Sequence, residues 1–154
     1  MEMHDLIAPD RVINGLKASN KKQALQELAR IADNAIGAHE KAVFEVLLER
    51  ERLGSTGVGN GVAIPHGKLP GLKHLYGFFA HLSSPIDFEA VDDQPVDLVF
   101  LLLAPETAGA DHLKALARIS RLLRDKETCE KLRGSDSGDA LYALLTETTT
   151  RSAA

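Results

Sequence analysis

An unbroken apolar run near the middle of the chain constrains the fold more than any other feature. Residues 99–103 read Val-Phe-Leu-Leu-Leu, and Pro105 closes the segment. A strand with one solvated face would alternate apolar and polar residues, so this run predicts a central strand covered by helices on both faces. It is far shorter than the roughly 18 apolar residues that a membrane-spanning helix needs, and we expect no membrane insertion.

The flanking sequence predicts helices towards both ends of the chain and strands in the middle. Helical spacing of apolar residues predicts helices over 19–36, 40–53, 111–123, 126–132 and from 137 onward, and strand patterns fall at 11–16, 62–64, 76–82, 86–88 and 96–104. Ser19 and Asp111 are the predicted N-caps, and Gly37 the predicted stop of the first helix. The fold class is therefore predicted to be α/β.

Length and charge limit the classes of protein that fit. A chain of 154 residues that is 44% hydrophobic predicts one domain over 1–154, with an ordered core over about 5–146 and a polar tail from Thr146 that frays. A net charge of -4 without a basic block argues against nucleic-acid binding. Cys129 is the only cysteine, which excludes an intrachain disulfide, and the N-terminus lacks a secretory signal pattern, so we expect a cytoplasmic protein.

The segment 54–68 is the candidate for chemistry, because it holds five of the 12 glycines together with His66. Glycine tolerates positive φ, so consecutive backbone N–H groups can converge on an anion. Pro65 stiffens the backbone before His66, and Gly67 removes bulk after it. The spacing matches neither a Walker A loop nor a dinucleotide-binding fingerprint, so the pattern alone leaves an anion-binding loop and an ordinary turn both open.

A metal site is the obvious competing hypothesis for a chain with six histidines. The spacing shows no HExxH motif, no HxH pair and no cysteine cluster, although His66, His112 and Asp111 could still meet in space. We expect no metal and no cofactor. His112, in the first turn of a predicted helix, is either solvated there or a neutral imidazole that donates to an anion.

Two longer motifs carry a resemblance to a known family. Residues 50–57 (Arg-Glu-Arg-Leu-Gly-Ser-Thr-Gly) and 59–68 (Gly-Asn-Gly-Val-Ala-Ile-Pro-His-Gly-Lys), with Asp-His-Leu at 111–113, resemble the enzyme IIA domain of the mannitol, fructose and nitrogen-related bacterial phosphotransferase systems. The resemblance covers nearly the whole chain and implies a mixed β-sheet flanked by helices. The lack of a fused transporter or IIB segment favours the stand-alone nitrogen-related type.

The resemblance implies a role for each site residue. His66 would accept a phosphoryl group as a tele-phosphohistidine, and Arg50 and His112 would stabilise the phosphoryl oxygens. Arg50 is preferred over Arg52 because it lies sixteen residues before His66, as the phosphate-binding arginine of the family does. The other phosphate-binding candidates are the loop residues Ser55, Thr56 and Asn60, of which Asn60 could instead hold the loop shape.

The resemblance also implies partners. A histidine phosphocarrier of the NPr or HPr type would be the donor, and target proteins such as sensor kinases or potassium transporters would respond to the phosphorylation state. The alternative is a sugar-specific enzyme IIA that passes phosphate to a IIB component; a metal hydrolase is a third and weaker possibility. Candidates for an apolar docking rim around His66 are Ile64, Pro65, Leu69 and Leu72.

Overall fold

The computed structural model describes the backbone of residues 1–153 and the side chains of residues 1–147. The helices are α1 (Met3–Leu6), α2 (Lys21–Ile36), α3 (Glu40–Arg52), α4 (Ala110–Arg124), α5 (Lys126–Arg133) and α6 (Gly138–Ala153), and a 3₁₀ turn spans Pro9–Arg11. The strands are β1 (Val12–Leu16), β2 (Gly57–Gly59), β3 (Val62–Ala63), β4 (His66–Leu69), β5 (Tyr76–Ile86) and β6 (Val96–Pro105). Ala154 and the side chains from 148 lie outside the described residues, so fraying of the tail stays a prediction.

The strands form a mixed six-stranded sheet with the order β1-β5-β6-β3-β2, and β4 also pairs with β6. β5 and β6 are antiparallel, whereas β3 and β4 both run parallel to β6. β3 and β4 pair with successive parts of β6 and are separated by Ile64 and Pro65. The sheet is flanked by helices, which confirms the predicted α/β class with a mixed sheet, and β6 is the predicted central strand.

Side chains of β6 alternate between two separate hydrophobic clusters. Val99, Leu101 and Leu103 pack with α2 and α3, while Phe100 and Leu102 pack with α1, α4, α5 and α6. All five side chains are 0% exposed. Burial of each such side chain contributes about 1.5–3 kcal/mol, so this run stabilises both layers at once. The continuous apolar pattern follows from burial on both faces.

Two predicted helix N-caps are wrong. The N-cap of α2 is Asn20, whose side chain accepts a hydrogen bond from the Gln23 N–H, so Ser19 lies one residue outside the helix. The N-cap of α4 is Gly109 with φ 56° and ψ −127°, a conformation that suits glycine, and Asp111 lies inside the first turn. Gly37 ends α2 in the left-handed conformation, as predicted.

The strands of the sheet differ from the prediction in two ways. β5 does not stop at Leu82 but continues through the Ser-Ser-Pro segment to Ile86, with an irregularity in its pairing between His81 and Ile86. The predicted separate strand at 86–88 is therefore wrong. β2 and β4 have no apolar alternation in their sequences and form because β3 and β6 offer them hydrogen-bonding partners.

Candidate functional site

His66 is the first residue of β4, so the sheet rather than a free loop holds its backbone. The next residue, Gly67, faces α3, and a Cβ at this position would overlap the Val46 side chain. Glycine at 67 therefore lets α3 pack closely against β4. This close packing brings Arg50, in the last turn of α3, to the imidazole of His66.

The hydrogen bonds of His66 select one form of its imidazole. Nδ1 lies 2.8 Å from the carbonyl oxygen of Ile64, which can only accept, so Nδ1 carries the proton. The Arg50 Nε–H donates to Nε2 across 3.3 Å, which requires a lone pair on Nε2. Arg50 is itself held by a 2.8 Å bond from its Nη1 to the Gly54 carbonyl. His66 is thus a neutral imidazole with its proton on Nδ1 and its lone pair on Nε2.

His112 of α4 also lies beside His66, and the centroids of the two imidazole rings are 5.6 Å apart. Only 9% of His112 is exposed, so the solvated alternative for this residue is wrong. Its Nδ1 is buried and has no hydrogen-bond partner among the described residues. Because buried N–H groups are orphaned more rarely than acceptors, we place the proton of His112 on Nε2.

Burial lowers the pKa of both histidines. For His66, the hydrogen bond to Ile64 raises the pKa in part, and the charge of Arg50 lowers it again. For His112, burial is the largest cause, and the nearby His66 and Lys68 lower its pKa further. Both imidazoles are therefore neutral at neutral pH, which keeps the lone pair of His66 available as a nucleophile.

An open cavity of about 390 Å³ surrounds the His66 ring. It is lined by residues of α3, β4 and α4, together with the residue that follows α3: Val46, Glu49, Arg50, Leu53, His66, Gly67, Lys68 and His112. Two cationic side chains and two imidazoles face one volume that solvent can enter. Such a site can hold a phosphoryl group beside a nucleophile.

The structure does not bring the three predicted loop ligands into this cavity. Ser55 Oγ donates to the Phe88 carbonyl and accepts from the Gly57 N–H, so both of its hydrogen bonds go to the backbone. Thr56 is 3% exposed, and its hydroxyl donates to the Glu51 carboxylate. None of Ser55, Thr56 and Asn60 belongs to the described cavity lining.

Asn60 lies at the tip of the β2–β3 turn with φ 57°, in the left-handed region that asparagine tolerates. Its N–H donates to Asp92 and its carbonyl accepts from Arg133. These contacts support the alternative that Asn60 holds the loop shape. Its role as a phosphate ligand stays a prediction, as do those of Ser55 and Thr56.

The predicted docking rim is wrong for three of its four residues. Ile64, Pro65 and Leu69 are buried and Leu72 is half-buried, because this part of the chain is covered from both sides of the sheet. Two apolar side chains near the two histidines are exposed instead: Leu53, at 85%, and Leu113, at 68%. Leu53 directly follows α3 and lines the cavity, whereas Leu113 follows His112 on α4. Neither was predicted, because an isolated leucine beside a site has no distinguishing pattern.

Within the part of the chain that the structure describes, no three histidine, cysteine, aspartate or glutamate side chains are grouped so as to bind a metal ion. His66 and His112 do meet, but without Asp111 as a third ligand. Among the described residues, no helix combines the length and apolar character that crossing a bilayer requires.

The free energy of unfolding should depend on pH through the two histidines. Their folded-state pKa values lie below the unfolded value, so the unfolded chain binds protons first as the pH falls. We expect stability that is constant above about pH 7 and declines as the pH falls through 6.5 towards the folded pKa values. Urea unfolding at a series of pH values measures this slope, and equal slopes for wild type and a His66→Gln, His112→Gln double variant would contradict the expectation.

Residues 5–148 match the sequence model of the family "Phosphoenolpyruvate-dependent sugar phosphotransferase system, EIIA 2". The chain belongs to this family. Enzyme IIA proteins of this family are phosphoryl-transfer components, and the resemblance inferred from the glycine and histidine motifs is confirmed.

Within this family, the chain is similar to nitrogen regulatory proteins. It is 63% identical over 145 residues to the nitrogen regulatory protein of Bradyrhizobium diazoefficiens, covering 94% of this chain and 95% of that protein. The crystal structure of nitrogen regulatory protein IIA-Ntr from Neisseria meningitidis superposes with a TM-score of 0.86 at 35% identity, covering 92% of this chain and 97% of that one. The IIA mannitol structure from Escherichia coli shares the fold, with a TM-score of 0.74 at 22% identity over 90% and 97% of the two chains.

Proposed function

We propose that this enzyme IIA accepts a phosphoryl group on Nε2 of His66 from a histidine phosphocarrier of the NPr or HPr type, and that its phosphorylation state regulates target proteins. One observation carries the proposal. The Ile64 carbonyl holds the proton of His66 on Nδ1, which leaves the Nε2 lone pair beside Arg50 and the open cavity. Neutral imidazole with a free Nε2 is the form that attacks phosphorus.

The transfer step follows from this geometry. The Nε2 lone pair forms a bond to phosphorus as the bond from phosphorus to the donor imidazole breaks, and that electron pair returns to the donor nitrogen. The proton on Nδ1 of His66 stays in place and continues to donate to the Ile64 carbonyl. This hydrogen bond stabilises the positive charge that develops on the ring.

Three side chains around Nε2 stabilise the transferring group. The Arg50 guanidinium donates to Nε2 in the free protein and would move onto the phosphoryl oxygens as the new bond forms. His112, with its proton on Nε2, donates to the same oxygens, and exposed Lys68 adds positive charge at the cavity mouth. Charge stabilisation of this kind is the main requirement of a loose phosphoryl-transfer transition state.

Ser55, Thr56 and Asn60 would contribute indirectly. Their hydrogen bonds go to Phe88, Glu51 and Asp92 respectively. We therefore propose that these residues support phosphate binding by stabilising the conformation of the glycine-rich segment 54–68 beside the cavity. The phosphoryl oxygens would take their direct bonds from Arg50 and His112.

A regulatory role rests on similarity to nitrogen regulatory proteins, at 63% identity for the Bradyrhizobium relative. Target proteins such as sensor kinases or potassium transporters would bind one phosphorylation state better than the other. A pull-down that compares His66→Ala with the phosphomimetic His66→Asp tests this point, and equal recovery of every partner would contradict it. Transfer to a IIB component is the alternative function.

The phosphoryl-transfer proposal has a direct test. The purified protein is incubated with phosphoenolpyruvate, the first enzyme of the relay and the phosphocarrier, and its intact mass is measured. A mass increase of one phosphoryl group that depends on the phosphocarrier supports the proposal, with peptide mapping to assign it to His66. An unmodified protein beside an active, phosphorylated carrier would refute it.

Leu53 is the apolar side chain most exposed beside the reacting nitrogen, and we expect it to contact the phosphocarrier. Leu53→Glu should raise the KM for the phosphocarrier about tenfold or more, because a desolvated apolar contact at an interface centre is replaced by a charge, while kcat falls much less. Val91→Glu is the matched control, since Val91 is 75% exposed and does not belong to the described cavity lining. Equal KM values for the two variants would remove Leu53 from the interface.

A further inference from the structure

The Glu51 side chain is buried beside the site but does not line the cavity. Only 5% of it is exposed, and it neighbours Arg50 in the last turn of α3. One carboxylate oxygen accepts from Lys21 at 2.9 Å and from the Thr56 N–H at 3.0 Å, and the other accepts from the Thr56 hydroxyl. These three hydrogen bonds fix the position of the buried Glu51 carboxylate.

A chain of hydrogen bonds leads from this carboxylate to the nucleophile. Thr56, which Glu51 holds by two bonds, accepts at its carbonyl oxygen from the Ile64 N–H at 2.9 Å. The carbonyl of Ile64 in turn accepts the Nδ1 proton of His66 at 2.8 Å. Thr56 and Ile64 are buried and His66 is half-buried, so displacement of Thr56 displaces the carbonyl oxygen that selects the tautomer of His66.

Lys21 holds the carboxylate from the other side. Its ammonium lies 2.9 Å from Glu51 and 5.0 Å from the centre of the Phe88 ring, and only 15% of its side chain is exposed. The Phe88 carbonyl also accepts a hydrogen bond from the Ser55 hydroxyl, so Phe88 contacts both Lys21 and the residue that precedes Thr56. The beginning of α2 is thereby connected to the loop that precedes His66.

We propose that Glu51, held by Lys21, is a positioning residue for His66: through Thr56 and Ile64 it keeps the imidazole proton on Nδ1 and leaves Nε2 free to take the phosphoryl group. The inference deepens the proposed function and rests on it for the transfer rate only. The tautomer is a property of the unphosphorylated protein and can be measured whether or not phosphoryl transfer occurs.

The tautomer is the first readout. Nitrogen chemical shifts of His66 in ¹⁵N-labelled protein distinguish a proton on Nδ1 from one on Nε2. We expect wild type to hold the proton on Nδ1, and Thr56→Val, which loses the hydroxyl bond to Glu51, to populate the Nε2-protonated form. Thr56→Ser keeps the hydroxyl and should restore the wild-type shifts. Wild-type shifts in Thr56→Val and in Glu51→Gln would overturn the proposal.

The second readout uses charge. The charged and titratable groups around the His66 ring are Glu49, Arg50 and Glu51 of α3, Lys68 of β4 and His112 of α4. Glu51→Gln removes a charge that raises the pKa of His66, so that pKa should fall. Lys21→Met leaves the Glu51 charge uncompensated, so the pKa should rise. Exposed Glu45 and Lys22 provide the controls Glu45→Gln and Lys22→Met, which should shift it less.

The transfer rate completes the test. Glu51→Gln should slow phosphoryl acceptance about tenfold, the equivalent of one lost charge-assisted hydrogen bond, while Glu45→Gln stays near wild type. NMR titrations in which Glu51→Gln and Lys21→Met shift the His66 pKa in the same direction, or no more than their controls, would overturn the proposal. Should Glu51→Gln fail to fold, Thr56→Val and Lys21→Met decide the outcome. A wild type that takes no phosphoryl group would refute the proposed function, and the tautomer measurements would still judge the role of Glu51.

Discussion

Replacement of His66 by glutamine should abolish phosphoryl incorporation from the phosphocarrier. Glutamine keeps a polar side chain of similar reach but offers no nitrogen lone pair that can attack phosphorus. The cavity, Arg50 and His112 all remain, so the variant removes the nucleophile and little else. Intact mass after incubation with the complete relay should show the unmodified protein alone, where the wild type is converted.

His74→Gln is the matched control for this variant. His74 is exposed, and its ring packs edge-on against Tyr76. The substitution therefore makes the same chemical change at a histidine outside the site. We expect wild-type incorporation for His74→Gln. Full incorporation into His66→Gln, mapped to His112, would show that the second imidazole is the acceptor and would reverse the proposed roles of the two histidines.

Replacement of Arg50 by alanine should slow phosphoryl acceptance by about 100-fold or more, with the protein still folded. The half-buried guanidinium donates to Nε2 itself, the atom that we propose takes the phosphoryl group. Its loss would leave the phosphoryl oxygens with His112 and Lys68, which line the same cavity. Arg50→Lys should lie between alanine and wild type, because lysine supplies a charge but no planar pair of donors.

Arg52→Ala provides the comparison, since both arginines lie in the last turn of α3 and carry the same charge. The Arg52 side chain is 71% exposed and pairs with Glu49, so its removal should change the rate about twofold at most. Single-turnover rates with saturating phosphorylated carrier measure both variants. Similar small losses for Arg50→Ala and Arg52→Ala would remove Arg50 from the phosphoryl site.

The two helix layers and the central strand could be predicted from local pattern. Residues 99–103 had to be buried on both faces, and the apolar spacing of α2 and α3 had to face a core. N-caps were less predictable, because Ser19 and Asn20 are both competent and their backbone geometry selects between them. The strands at 57–59 and 66–69 carry no pattern of their own and depend on partners elsewhere in the sheet.

The candidate site was predictable in its main residues but not in its support. His66, Arg50 and His112 were identified from motifs, and the structure brings all three together. Glu51 was overlooked, because in sequence it is one of four charged residues at a helix end, which normally face solvent. Its burial depends on Lys21 and Thr56, which approach it from two other segments.

The sequence by itself determined which residue types are present for phosphoryl chemistry, where the histidine stands relative to its glycines and proline, and which family the chain resembles. Those properties depend on composition and spacing along one chain. The tertiary structure decided what holds the imidazole proton on Nδ1, how Arg50 is brought to Nε2 and which apolar side chains stay exposed. The physical reason is that each depends on contacts between separate segments, such as Gly67 of β4 against Val46 of α3, which spacing along the chain does not specify.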